Sequence, residues 1–329
     1  MTPAARLVGH LRDLWPGWGI LSPLPFVAWP VYCLVRGEAR WELLVVLVVV
    51  PLLAFTSQAS KKLFVGLYPI GLVGLFYDAM RFFKGVGLTP GRVHLCDLRS
   101  VDLSLFGVTE GGTRETLQDW FQRHHTAFLD AWCSVPYGTF IFVSIAFAAF
   151  LYRKKLGALE RYGWCFLALN IAGFATHHLY PAAPPWYYHA HGCVVDLATR
   201  ASEGPGLARV DAALGVRYFG GLYGRSNDVF GAMPSLHIAY PLLIALEGWR
   251  HFGARLRAAI VIYTATMAFA AVYLDHHWVV DVLAGMAYCL VAQAGVRRVF
   301  SRLVPVKPDS AGPGPTGDAP PLAESVAGG

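Results

Sequence analysis

Charged residues are scarce in this chain of 329 amino acids. Asp, Glu, Lys and Arg make up 15% of the sequence, hydrophobic residues make up 55%, and the mean hydropathy is +0.45. A typical soluble domain is about 25% charged. A chain this apolar is neither disordered throughout nor a nucleic-acid-binding protein, since both need more charge. The composition indicates a polytopic membrane protein without a nucleic-acid partner.

Motifs that hold metals or cross-link small secreted domains are also missing. The six cysteines include no CxxC pair and no Cys/His spacing suited to zinc. Three of them lie in apolar segments, where they pack as small hydrophobic residues. The other three fall on or near the outer side in the topology derived below: Cys96, Cys133 and Cys193. A disulfide is possible there, but three thiols leave one over and the sequence does not name a pair.

Apolar runs of membrane-spanning length are abundant. A helix crosses the hydrocarbon layer with about 17 to 25 mostly apolar residues. Eight segments of near that length carry no charged residue: 14–35, 43–60, 63–77, 131–152, 162–180, 229–246, 258–274 and 282–296. The third is somewhat short, and prolines interrupt the first, so an interfacial hairpin and a full span both stay open there. We expect an all-α transmembrane bundle with a six-helix catalytic core and additional N-terminal helices.

The positions of Lys and Arg set the orientation of this bundle. If every segment spans, the basic clusters at residues 61–62, 153–161, 250–257 and 297–302 all fall on one side. Short cytoplasmic loops carry the excess of positive charge in membrane proteins. Both termini are therefore expected to be cytoplasmic, and no signal peptide is evident at the N-terminus.

Three regions outside the spans have their own patterns. Residues 1–60 are expected to form an interfacial N-terminal helix and the first membrane segments, residues 61–302 the catalytic domain, and residues 303–329 a disordered cytoplasmic tail. On the outer side, apolar and aromatic residues from Leu117 to Trp132 recur at helical spacing, which predicts an amphipathic helix along the interface. The second long outer segment, 181–228, is expected to be an ordered cap.

Two histidine motifs lie at the outer ends of predicted membrane helices. They are FGAMPSLH (230–237) and DHHWVVD (275–281). His277 and Asp281 are one helical turn apart, whereas His276 is about 140° away from Asp281 around the axis. The carboxylate is thus expected to orient His277 as a nucleophile toward phosphorus, with His237 donating a proton to the leaving oxygen. A purely structural interpretation, with Ser235 only capping a helix, fits either motif alone.

The paired motifs resemble those of the type 2 phosphatidic acid phosphatase superfamily, which carries PSGH and SRxxxxxHxxxD on neighbouring helix ends. The inositol phosphorylceramide synthase-like branch is the more similar. Its resemblance includes YDAMR (77–81), DLSLFG (102–107), the LQDWFQRHH helix, YPAAPPW (180–186) and Leu236 in place of the motif glycine. The resemblance implies attack by His277, orientation by Asp281 and acid catalysis by His237, with no metal or cofactor.

The resemblance also implies the substrates. A phosphoinositol-type headgroup would pass from a phospholipid or another phosphorylated lipid, through a phosphohistidine, to a lipid alcohol such as ceramide or diacylglycerol. The superfamily's SR pair falls on Ala270 and Ala271, and KxxxxxxRP is missing. Other groups must then meet the phosphate charge.

Several polar residues are candidates for substrate binding. Arg81 is the first choice for the phosphate, followed by Lys84 and Arg225, although Arg at an interface is commonly a headgroup anchor. Backbone N–H groups around Gly231 and Ser235 would also bind phosphate at a helix start. The remaining two candidates, for a polyhydroxylated headgroup, are Asp78 and Asn227. Asp78 could equally pair with Arg81 or Lys84.

Other functions compete with headgroup transfer. A lipid phosphate phosphatase would use the same residues with water as acceptor. A histidine-ligated metal oxidase or desaturase is suggested by the outer histidines, but its HxxxH and HxxHH spacings are missing. A transporter would show interrupted helices in two matching halves, and no such repeat is visible. The sequence does not indicate an oligomeric state.

Overall fold

The computed structural model describes residues 2–83, 85–224, 226 and 229–303, and the described part is almost entirely helical. The helices of the N-terminal half are α1 Pro3–Leu14, α2 Leu24–Val35, α3 Trp41–Phe55, α4 Gln58–Phe83, α5 Cys96–Phe106 and α6 Leu117–Arg123. Those that follow are α7 Ala127–Lys154, α8 Leu156–Leu179, α9 Pro185–His191, α10 Gly204–Leu214, α11 Tyr218–Tyr223, α12 Leu236–Gly248, α13 Ala254–Tyr273 and α14 Val279–Leu303. Strands β1 Val108–Glu110 and β2 Thr113–Glu115 form one short hairpin.

The all-α membrane bundle predicted from the sequence is confirmed. Among the described residues, five helical segments are long and apolar enough to cross a membrane: Gly17–Val35, Gln58–Phe83, Ala127–Lys154, Ala254–Tyr273 and Val279–Arg302. Helices α3 and α12 are apolar but shorter, and α8 extends over 24 residues. All eight predicted segments overlap helices, so the protein is a multi-pass integral membrane protein.

Several predicted boundaries differ from the structure. The segment 63–77 was expected to be short, but α4 extends for 26 residues. The segment 229–246 was expected to be one helix, but α12 begins only at Leu236. The residues before it are extended, because Phe230 and Ala232 form backbone hydrogen bonds with Ala182. The domain limit expected at residue 60 falls in the first turn of α4.

The expected interfacial helix between Leu117 and Trp132 is two separate helices. Thr116 and Asp119 form a capping box that begins α6. The Thr126 hydroxyl then accepts the Leu129 N–H and begins α7, the long membrane helix. Phe128 therefore belongs to α7, since a second N-cap interrupts the apolar periodicity.

Helix α8 lies at the centre of the bundle. It packs against α4, α7, α12 and α14, and the buried residues of this core include Leu159, Tyr162 and Leu169. At the end of the bundle away from the histidine motifs, the buried carboxylate of Glu247 accepts hydrogen bonds from Arg161, Arg297 and Gln293. These contacts join α8, α12 and α14.

A layer of short segments lies over the end of the bundle that carries the histidine motifs. The described residues 181–224 contribute α9, α10 and α11 to this layer, in the region where an ordered cap was expected. A disulfide joins Cys96 at the start of α5 to Cys193 just after α9, whereas Cys133 is a buried free thiol. The Asp130 carboxylate accepts two hydrogen bonds from Arg209, both of 2.8 Å, which ties α10 to α7. The tail predicted at residues 303–329 lies, beyond Leu303, outside the described residues.

Candidate active site

The two histidine motifs meet at one point of the structure. His237 Nδ1 lies 3.0 Å from His277 Nε2. His237 is in the first turn of α12, and His277 lies in the turn that leads into α14. The Ser235 N–H donates to the Asp281 carbonyl over 3.0 Å, which fixes the two helix starts together. Gly285 permits this approach, because a Cβ there would lie 2.1 Å from the Ser235 carbonyl oxygen.

A second set of backbone contacts shapes the FGAMPSLH segment. Ala182 donates its N–H to the Phe230 carbonyl over 2.7 Å and accepts the Ala232 N–H over 3.0 Å. The Trp278 indole N–H donates to the Ala183 carbonyl over 3.0 Å. The YPAAPPW segment thus lies between the two histidine motifs and holds both of them.

The contacts of His277 define its tautomer. Its Nδ1 lies 2.9 Å from the Ala232 carbonyl oxygen, which can only accept a hydrogen bond. Nδ1 therefore carries the proton, and the Nε2 lone pair faces His237. The side chain of Asp281 was expected to hold His277, but its Oδ2 is 3.7 Å from Nδ1. That oxygen instead accepts the Trp278 N–H over 2.9 Å at the start of α14. Asp281 supplies negative charge beside the ring, while a backbone carbonyl orients it.

His276 faces a different partner although it is adjacent in sequence. Its Nε2–H donates to the Glu203 carbonyl over 2.5 Å. Burial lowers the pKa of His276 to about 3, so the ring is neutral at physiological pH. The register expected from the sequence thus agrees with the geometry: His277 and not His276 is beside Asp281 and His237.

Aromatic side chains surround His237. The Tyr137 ring stacks on its imidazole with the ring centroids 4.7 Å apart. The Tyr223 hydroxyl lies 3.3 Å from His237 Nε2 and donates to the Tyr137 carbonyl over 3.0 Å. Tyr137 is fully buried. Neither tyrosine belongs to a histidine motif, since both approach from distant elements.

Asp102 and Gln118 support the turn that carries His277. The Gln118 amide donates to the His277 carbonyl over 3.1 Å and to Asp102 Oδ2 over 3.2 Å. Asp102 Oδ1 accepts the Val280 N–H over 3.1 Å. Burial raises the pKa of Asp102 to about 6. Asp102 belongs to the DLSLFG segment and Gln118 to the LQDWFQRHH segment, both of which resemble the synthase-like branch. Neither residue was predicted to be part of the site.

A network of charged residues joins α5, α6 and α9 to the turn at Asp275. His189 contacts Asp275 over 2.6 Å and Asp119 over 2.8 Å, and Arg99 pairs with Asp119 over 2.7 Å. Burial acts to lower the pKa of His189, but the bonds to the two carboxylates outweigh it and raise the pKa to about 9. A charged His189 thus holds the turn before His276 against α6 and α9.

An apolar cavity of about 930 Å³ opens at the histidine pair. One end of the cavity is lined by His237, His276 and His277. The other end is lined by Tyr152 and Arg153, near the C-terminal end of α7. Arg153 follows Phe140 by 13 positions on α7, which corresponds to a rise of about 20 Å along a helix. A cavity of this length and polarity suits hydrocarbon chains.

The structure brings only some of the predicted binding residues to this cavity. Gly231 lines it, whereas the Ser235 side chain is fully buried at the N-cap of α12. Arg81 pairs with Asp78 over 3.2 Å, and the Trp29 indole donates to Asp78 over 2.9 Å. Neither Arg81 nor Asp78 lines the cavity, because both lie on the face of α4 that packs against α2. Three candidates lie outside the described residues: Lys84, Arg225 and Asn227.

The metal-dependent alternative gains no support from the described ranges. Within them, no three His, Cys, Asp or Glu side chains are grouped as metal ligands would be.

Several known proteins are similar to this chain. The sequence profile of the PAP2 superfamily matches residues 107–295. A phosphoinositol dihydroceramide synthase of Bacteroides thetaiotaomicron is 34% identical over 264 residues, covering 76% of this chain and 85% of that protein. No solved structure matches the chain significantly.

Yeast relatives are similar over shorter shares of their length. The inositol phosphorylceramide synthase catalytic subunit of Schizosaccharomyces pombe is 32% identical, covering 50% of this chain and 39% of that protein. The corresponding subunit of Saccharomyces cerevisiae is 27% identical, covering 70% of this chain and 56% of that protein. The chain belongs to the PAP2 superfamily, and the family predicted from its motifs is confirmed. It is a membrane enzyme of the lipid phosphotransferase and phosphatase class.

Proposed function

We propose that this enzyme transfers a phosphoinositol-type headgroup from a phospholipid to a ceramide-type acceptor through a phosphohistidine at His277. The observation that carries the proposal is the contact of 3.0 Å between His237 and His277 at the mouth of an apolar cavity. The names of the bacterial and yeast relatives support the headgroup and the acceptor.

In the first step, His277 Nε2 attacks the phosphorus of the donor phosphodiester. The N–P bond forms as the bond from phosphorus to the diacylglycerol oxygen breaks, and protonated His237 donates its proton to that oxygen. The Ala232 carbonyl holds the proton on Nδ1 of His277. The carboxylate of Asp281, 3.7 Å away, stabilises the positive ring. The His237 ring must rotate away from Nε2 for phosphorus to approach.

In the second step, neutral His237 accepts the proton of the acceptor hydroxyl. The acceptor oxygen attacks phosphorus, the N–P bond breaks, and the headgroup leaves on the acceptor while His277 regains its lone pair. A narrow apolar cavity favours a lipid alcohol over water at this step.

The start of α12 is the proposed phosphate site. Among the described residues no side chain caps this helix by a hydrogen bond, and Leu236, its first residue, lines the cavity. Free N–H groups and the positive end of the helix dipole favour an anion there. This assignment keeps Gly231 as a backbone binding residue. The Ser235 N–H is already donated to the Asp281 carbonyl, and Arg81 and Asp78 face α2.

We place this site on the non-cytoplasmic side and both termini in the cytoplasm. The Cys96–Cys193 disulfide supports this orientation, because disulfides persist in oxidising compartments. Basic residues at the opposite end of the bundle, among them Lys154 and Arg161, support it as well.

The test uses purified enzyme with phosphatidylinositol labelled in the inositol ring. With ceramide present, the expected product is labelled phosphoinositol ceramide, formed together with unlabelled diacylglycerol. Release of water-soluble inositol phosphate with no labelled ceramide product would overturn transfer and indicate the phosphatase. Acid-labile label on the protein after a brief reaction, lost in His277→Ala, would identify the intermediate.

A further inference from the structure

A buried amide and a buried phenol face each other in the wall of the apolar cavity. Asn170 on α8 is 0% exposed, and the Tyr240 hydroxyl donates to its Oδ1 over 2.5 Å. Both residues line the cavity. Polar side chains at this depth of a membrane bundle carry a desolvation penalty and commonly mark a substrate path. The chemistry at His237 and His277 does not use them.

The hydrogen bonds within the pair leave one donor and one acceptor for a ligand. One Asn170 amide hydrogen is donated to the Phe166 carbonyl over 2.8 Å. An amide group has two hydrogens, and no second acceptor for Asn170 is found in the described part of the chain. The Tyr240 oxygen gives its proton to Asn170 and keeps its lone pairs. The pair thus offers one N–H and one oxygen acceptor.

An amide linkage in a lipid matches this arrangement, and an ester does not. A secondary amide has a carbonyl oxygen for the Asn170 N–H and an N–H for the Tyr240 oxygen. An ester has oxygen acceptors only, so the Tyr240 lone pairs would stay unpaired in an apolar cavity. We propose that the juxtaposition of Asn170 and Tyr240 selects amide-linked acceptor lipids over ester-linked ones. This selectivity rests on the proposed function.

The position of the pair fits the spacing within such a lipid. Tyr240 follows His237 by three residues on α12, so it lies on the same face and about 4.5 Å farther along the axis. Phe140 contacts both rings, with centroid distances of 4.9 Å to His237 and 5.9 Å to Tyr240. In a ceramide-type lipid the amide nitrogen and the hydroxyl oxygen that accepts the headgroup are attached to adjacent carbons, so both must bind near the histidine pair.

The experiment compares two acceptors with one labelled donor, phosphatidylinositol. Transfer to ceramide is measured beside exchange into a diacylglycerol of different chain length, whose labelled product separates from the donor. Both are expressed as kcat/KM for the wild type and for Tyr240→Phe. We expect Tyr240→Phe to lower kcat/KM for ceramide about tenfold, mainly through KM, and to change exchange into diacylglycerol less than twofold. Asn170→Leu is expected to lower the ratio of kcat/KM for ceramide to kcat/KM for diacylglycerol as well.

Tyr162→Phe is the matched control, because Tyr162 also lines the cavity but lies away from His237. It is expected to leave the ratio unchanged. Equal loss with both acceptors in Tyr240→Phe, or an unchanged ratio, overturns the selectivity while leaving headgroup transfer intact. A wild-type enzyme that transfers label to neither acceptor overturns the proposed function, and the selectivity with it.

Discussion

Two polar clusters near helix ends differ in their position, since one faces the cavity and the other does not. At the starts of α12 and α14, His237 and His277 meet at the cavity mouth. Near the end of α4, Asp78 and Arg81 bind each other and Trp29. In the first cluster the Nε2 lone pair of His277 faces His237 at the cavity mouth, whereas in the second the Asp78 carboxylate is paired with Arg81 and Trp29 away from the cavity. Availability to the cavity therefore separates a reactive group from a structural one.

The largest expected effect is at the histidine pair. His277→Ala and His237→Ala should each lower kcat by about a thousandfold or more, since each removes a reacting group. His276→Ala is the control and should lower it less than tenfold, because Nε2 of His276 binds the Glu203 carbonyl. Transfer assays and melting temperatures of the three variants provide the measurement. An inactive, folded His276→Ala beside an active His277→Ala would contradict the assignment.

The stability that Asp102 contributes to the folded protein, beside the turn that carries His277, is expected to depend on pH. The pKa of Asp102 is raised from 3.8 to about 6, so the folded state binds this proton more tightly than the unfolded state. The resulting stability is present below about pH 4 and is lost as the pH rises through 6, by on the order of 2 kcal/mol. The measurement is the melting temperature in detergent from pH 4 to 7.

Asp102→Asn, which does not titrate, is the comparison for that measurement. The wild type should lose stability relative to this variant as the pH rises from 4 to 6. Parallel curves would show that the pKa of Asp102 is not raised in the folded protein.

A bulky residue in the cavity wall should raise KM for a long-chain lipid acceptor about tenfold. Ala148 lines the cavity and is 6% exposed. Ala148→Phe is expected to raise KM for a long-chain acceptor about tenfold and to affect a short-chain acceptor less, because it shortens the space for hydrocarbon. Ala146→Phe, on the exposed side of the same helix, is the control. Equal effects of the two changes would argue against lipid chains in this cavity.

The smallest effect is expected at the pair of Asp78 and Arg81. Arg81→Ala should change kcat less than threefold and lower the melting temperature by a few degrees, since it removes a partner of Asp78. Transfer rates at saturating donor provide the measurement. A hundredfold loss of kcat with an unchanged melting temperature would show that Arg81 reaches the phosphate after all.

Part of the site can be predicted from the local spacing of residues. His277 and Asp281 share a face because they are four residues apart, and the structure keeps them 3.7 Å from each other. The oxygen that binds Nδ1 of His277 could not be found from spacing, because it belongs to Ala232, 45 residues earlier. Any residue can supply a backbone carbonyl, so the sequence contains no signal for it.

The binding residues show the same limit. Arg81 was expected at the phosphate because its charge and its position near a helix end suited that role. Helix α2 packs on the face of α4 that carries Arg81, and this packing turns the guanidinium away from the cavity. Gln118 was overlooked for the opposite reason, since a lone glutamine 159 residues from His277 carries no motif.

The sequence by itself determined that the chain is a helical membrane protein of the PAP2 superfamily with paired histidine motifs. Hydrophobicity and helical period are local properties, and the motifs are contiguous letters. The tertiary structure decided which polar groups share the cavity and which backbone oxygen orients His277. Those outcomes depend on how distant helices pack, because a side chain's partners are set by the face that its helix turns toward its neighbours.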